Sequence, residues 1–68
     1  MTYQLHNQSE HGVQIQMTTK NGLERWMQVT AKGTLAAAKS KNCLFINPIK
    51  PTKEMRLVAS EVYAKLYK

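Results

Sequence analysis

Apolar and polar residues alternate along Val13-Gln-Ile-Gln-Met17, and the alternation resumes in Met27-Gln-Val29 beyond a Lys20-Asn21-Gly22 turn. Successive side chains of a strand leave on opposite faces, so Val13, Ile15 and Met17 share an oily face while Gln14, Gln16 and Thr18 share a wet one. A two-residue Asn21-Gly22 loop would set Met17 opposite Trp26 and mix the faces. A three-residue loop with Gly22 in the left-handed region instead pairs Ile15 with Met27, Val13 with Val29 and Gln14 with Gln28. That register predicts strands over about 12–19 and 23–30. It leaves Trp26 on the polar face near Gln16, either as an aromatic platform for a base or a partner's pocket or, the preferred reading, covered by the N-terminus, the middle segment or a dimer contact, and Arg25 at an inward position from which its guanidinium reaches water.

The remaining pattern predicts an α+β fold. Tyr3-Gln-Leu5 alternates and supplies a first strand over about 2–6, completing a three-stranded antiparallel meander. Thr34 is a credible N-cap for Leu-Ala-Ala-Ala, and alanine has the highest helix propensity, so a short middle helix is expected over about 34–41. Cys43 to Asn47 is an apolar run closed by Asn47-Pro48 and reads as a short strand over about 43–47. From Thr52 onward Met55, Val58, Ala59, Val62 and Leu66 recur at helical spacing, with Tyr63 at the margin. They predict an amphipathic helix over about 52–67 packed on the oily face of the sheet. Leu57, Ala64 and Tyr67 fall outside that stripe and offer a second apolar surface, through which a homodimer is conceivable. The whole chain, 1–68, reads as one small domain without repeats or linkers.

Charge alters this picture because it is segregated. In residues 1–31, Lys20 and Arg25 cancel Glu10 and Glu24, so the formal +6 lies entirely in residues 32–68. Lys65 and Lys68 suit the negative end of the terminal helix. Lys32, Lys39, Lys41, Lys50, Lys53 and Arg56 have no such local reason, and a cationic half of this kind attracts polyanions or acidic proteins.

Candidate chemistry is sparse. Cys43 is the one cysteine, so no intrachain disulfide forms. With His6 and His11 it provides no ligand spacing that suits zinc. Gly12, Gly22 and Gly33 are too dispersed for a phosphate loop, and the four carboxylates lie in separate elements. No enzyme, cofactor or metal is expected. The absence of a charged-then-apolar leader, and apolar runs too short for a bilayer, lead to the expectation of a cytoplasmic protein without a membrane partner.

Two functions fit. In the first, a nucleic-acid-binding protein presents Gln14, Gln16, Trp26 and Gln28 from the polar sheet face while Lys32, Lys39, Lys41, Lys50, Lys53 and Arg56 hold phosphates, with DNA ahead of RNA. Over residues 12–30 the glycine, alternating strand, glycine turn and strand tryptophan resemble in outline the arm-binding domains of tyrosine recombinases. The basic third strand expected of those domains is missing, and the likeness is not taken as membership. In the second, a small accessory protein of a phage or mobile element modulates a larger acidic or nucleic-acid-binding protein, with Trp26 or Tyr67 as anchor.

Overall fold

Two tight turns of the same construction organise the sheet. In the computed structural model, which describes residues 2–68, the Gly22 amide donates to Thr19 O at 2.9 Å and the Thr19 amide to Leu23 O at 2.8 Å. Gly22 has φ 84°, the left-handed value that glycine adopts without the Cβ penalty. The three-residue loop therefore sets Ile15 opposite Met27, Val13 opposite Val29 and Gln16 opposite Trp26, the register that face segregation requires. At the next turn the Gly33 amide donates to Thr30 O at 2.9 Å and the Thr30 amide to Thr34 O at 3.0 Å, with φ 93° at Gly33. The chain again reverses by three residues.

Beyond the second turn the chain enters a strand. The sheet has four antiparallel strands in the order β1 (Thr2–His6), β2 (Gly12–Thr18), β3 (Glu24–Thr30) and β4 (Leu35–Ala38). The middle helix expected over 34–41 does not form. Thr34 caps nothing: its amide donates back to Thr30 Oγ1 at 3.2 Å across the turn. Leu35 and Ala37 face the same side as Val29 and Met27, while Ala36 and Ala38 sit opposite Gln28 and Trp26. Alanine's helix propensity, under about 1 kcal/mol per residue, yields here to the unpaired edge of β3, because each pairing residue satisfies backbone donors and acceptors along that edge.

The strand expected over 43–47 is also absent. A short 3-10 turn spans Lys41–Cys43, residues 44–46 continue as a turn, and pairing resumes only at Ile49, in an isolated bridge to Ala37. Of the apolar run, Leu44 is 2 % exposed whereas Phe45 and Ile46 are 76 % and 83 % exposed.

The terminal helix, α1 (Lys53–Leu66), is as its spacing requires. Thr52 caps it by accepting from the Met55 amide at 3.3 Å. Met55, Val58, Ala59 and Val62 are buried against Val13, Ile15, Met17, Met27, Val29 and Ala37. Three contacts fix its direction. At its start Glu54 Oε2 accepts from the Lys20 amide at 2.8 Å; at its end the Tyr63 hydroxyl reaches Ala31 O at 3.5 Å and the Tyr67 hydroxyl donates to Ser9 O at 2.8 Å. The helix thus runs antiparallel to β2, from the β2–β3 turn toward the other two loops. Tyr67 is consequently packed at the core margin and does not contribute to an outward apolar surface or serve as a free anchor.

Candidate binding interface

With α1 on the apolar face, the opposite face of the sheet carries the side chains that sequence parity assigned to it. Two rows cross the strands. One is Gln4, Gln16, Trp26 and Ala38; the other is His6, Gln14, Gln28 and Ala36. The parity reading therefore brings Gln14, Gln16, Trp26 and Gln28 together, and adds Gln4 and His6 from β1.

Trp26 is on the expected face but is not open. It is 8 % exposed and packs in a satellite cluster with Ala38, Leu44 and Cys43. The excursion that leaves β4 after Ala38 folds back over this face and lays Leu44 beside the indole, with Ala38 directly opposite Trp26 in the register. The His6 ring flanks the indole at 5.1 Å between centroids, and Lys41 Nζ lies 5.8 Å from its centroid. A large aromatic on a polar sheet face exposes apolar area that water disfavours at about 25 cal/mol per Å², and the excursion supplies a cover. Of the two readings of Trp26, cover by the middle segment is the one observed, and the open platform is not.

The surrounding amides are partly engaged within the fold. His6 Nε2–H donates to Gln16 Oε1 at 3.0 Å, and Gln16 Nε2 donates to the Glu24 carboxylate. Gln16 is thus held at both ends. Asn7, at φ 54°, donates from Nδ2 to Gln14 Oε1 at 2.8 Å. Gln28 differs: its Oε1 is buried without a hydrogen-bond partner, and the residue borders a cleft of about 160 Å³ with Asn7, Ser9, His11 and Gln14.

The cations do not converge on one surface. Lys32 occupies the β3–β4 turn, at the end of β4 opposite Lys39. Lys53 and Arg56 are exposed on α1, in the layer behind the sheet. Lys39, Lys41 and Lys50 belong together: Lys39 and Lys50 sit at the two roots of the excursion, each within two residues of the Ala37–Ile49 bridge, and Lys41 opens its 3-10 turn. Between them in the chain stand the exposed Phe45 and Ile46. Sequence reasoning missed this pair by assigning the whole apolar run to a strand. Of its three neighbouring large apolar side chains, Leu44 alone is buried in the cluster with Trp26.

The acidic groups are few and mostly occupied, while of the basic ones Arg25 donates to Glu24 O at 2.7 Å and Lys41 lies over Trp26. Among the described residues the one ion-pair contact is between exposed Glu10 and His11, at 3.4 Å; no lysine or arginine is paired. The described residues contain no group of three or more His, Cys, Asp or Glu side chains placed to hold a metal ion, and no helix long and apolar enough to cross a membrane. Comparison with protein-family models, with curated proteins and with solved structures finds no match to this chain.

Proposed function

We propose that this chain is a small non-enzymatic nucleic-acid-binding protein that works through the margin beside β4, with Lys39, Lys41 and Lys50 as its phosphate contacts. The observation that carries this reading is the state of its cations: formal charge is +6, all of it beyond residue 31, and no lysine or arginine among the described residues is paired with a carboxylate. Unpaired surface lysines remain available to displace counterions from a polyanion. The glutamine face is secondary, since Gln16 is held at both ends by His6 and Glu24 and Trp26 is covered.

Binding of labelled duplex and single-stranded DNA and RNA across a salt series tests the reading. Three phosphate contacts give a slope of log K against log salt of about −2 for a single strand, and nearer −3 for a duplex. Replacing Lys39, Lys41 and Lys50 together by Gln flattens that slope. Absence of binding to every nucleic acid at low salt overturns the reading. The exposed Phe45 and Ile46 favour a second reading, an accessory protein that docks on a larger acidic partner; a nuclease-treated lysate from which the immobilised protein recovers nothing counts against it.

A further inference from the structure

We propose that the Phe45–Ile46 turn is a base-stacking tip: Phe45 stacks on an unpaired nucleobase and Ile46 packs beside it, while Lys39, Lys41 and Lys50 hold the adjacent phosphates. This inference rests on the nucleic-acid reading above and assigns it a strand type and a contact residue.

The first support is exposure that folding does not require. Phe45 is 76 % and Ile46 83 % exposed, while Leu44 beside them is 2 % exposed. The buried leucine fixes the turn, and the two large apolar side chains after it add nothing to either core cluster. The second support is preorganisation. The Cys43 amide donates to Ser40 O at 3.1 Å, the Asn47 amide to Cys43 O at 2.9 Å and the Ile49 amide to Ala37 O at 2.8 Å. The tip is thus presented from a hydrogen-bonded loop clamped to the sheet, which lowers the ordering cost of using it in binding.

Charge supplies the third support. Along the chain the apolar tip is flanked by Lys39 and Lys41 on one side and Lys50 on the other, with no carboxylate from residue 39 to residue 50. An aromatic within a cationic frame is the combination by which single strands are bound without sequence preference: backbone tracked by charge, bases stacked on rings. Size separates the unpaired strand from the duplex. Insertion between paired bases must unstack a step and is offset by wrapping bent DNA around protein surface. A body of 29 × 25 × 18 Å offers little surface to wrap, whereas an unpaired base has no pairing to break and costs less to unstack.

The test is fluorescence anisotropy with a labelled dT oligomer of about 15 nucleotides, long enough for one small binding module. The same strand with abasic sites, a duplex of equal length, and phosphatidylcholine–phosphatidylserine vesicles complete the set. The expected result is tighter binding to the single strand than to the duplex. Phe45→Ala should then weaken single-strand affinity by roughly 5- to 150-fold, the range of one stacking contact, with an unchanged salt slope. Phe45→Trp should retain affinity, and the abasic strand should bind the unaltered protein as weakly as the intact strand binds Phe45→Ala. Thermal melting of each variant confirms an intact fold, since Phe45 lies outside both clusters.

Salt-dependent binding that Phe45→Ala and abasic sites leave unchanged overturns the stacking tip while the nucleic-acid reading stands. Preference for the duplex overturns the choice of strand. Failure of every nucleic acid to bind removes both proposals, and vesicle binding abolished by Phe45→Ala would then reassign the tip to a lipid surface.

Discussion

Leu44→Ala tests the logic of the satellite cluster because its neighbours provide their own control. Leu44 is 2 % exposed and packs with Trp26 and Ala38 outside the main core. Truncation removes the cover of the indole. Leucine-to-alanine changes at buried sites cost about 2–5 kcal/mol; a satellite site can collapse or admit water, so a value near 2 kcal/mol is expected here. A domain of this length draws only about 3–5 kcal/mol from its core, so roughly half the stability is lost. At about 4–8 °C per kcal/mol for a domain of 60–100 residues, Tm falls by about 8–16 °C. The chain has a single tryptophan, so its emission reports the same event: opening the cover hydrates the indole and shifts the spectrum to the red in the folded state. Phe45→Ala and Ile46→Ala, at exposed positions, should change Tm by no more than about 0.5 kcal/mol equivalent. Thermal melts and emission spectra of the three variants decide the matter. A Leu44→Ala protein with unaltered Tm and emission, or a Phe45→Ala protein destabilised as strongly, would refute the packing described for the turn.

Three further perturbations address the sheet and the helix. A Cβ on Gly12 would stand 2.8 Å from Val29 O and 3.3 Å from Thr30 Cα, so Gly12→Ala forces β2 and β3 apart; a loss of about 1–3 kcal/mol in a denaturant melt is expected, and a neutral result would contradict the close approach. Ala36→Thr probes β4 directly, since residue 36 pairs with Gln28, whose Oε1 lacks a partner. A β-branched residue suits a strand and its hydroxyl offers the missing donor, so Tm should rise by the equivalent of about 1 kcal/mol; destabilisation, the outcome for a helix, would speak against β4. Thr52→Ala deletes the N-cap bond to the Met55 amide and should cost about 1 kcal/mol, read as a lower Tm together with faster amide exchange in the first turn of α1 and unchanged exchange in β2 and β3.

The hairpin and the terminal helix were legible in the chain because each is dictated by periodicity close at hand. Val13, Ile15 and Met17 must face one way, and only a loop of three residues ending in Gly22 lets Met27 and Val29 meet them. Met55, Val58, Ala59 and Val62 lie on one helical stripe whatever they pack against, and Thr52 marks where it begins. Placement of the glutamines opposite that core came from the same parity.

Residues 34–47 depended on what lay beside them in space. Leu35 to Ala38 has the local preference of a helix, and one signal opposed it: Thr30-Ala-Lys-Gly33 repeats the Thr19-Lys-Asn-Gly22 spacing of the first turn, and each glycine takes positive φ. Small side chains at 36 and 38 acquire their reason only once Gln28 and Trp26 are seen across from them. In the same way, nothing local distinguishes Leu44 from Phe45 and Ile46; the space beside Trp26 accepts one of the three, and the turn sends the other two to the surface. Alternation and helical spacing are properties of a segment, so the sequence by itself determined them. Pairing with a sheet edge and filling a pocket are properties of two segments brought together, and those only the tertiary structure decided.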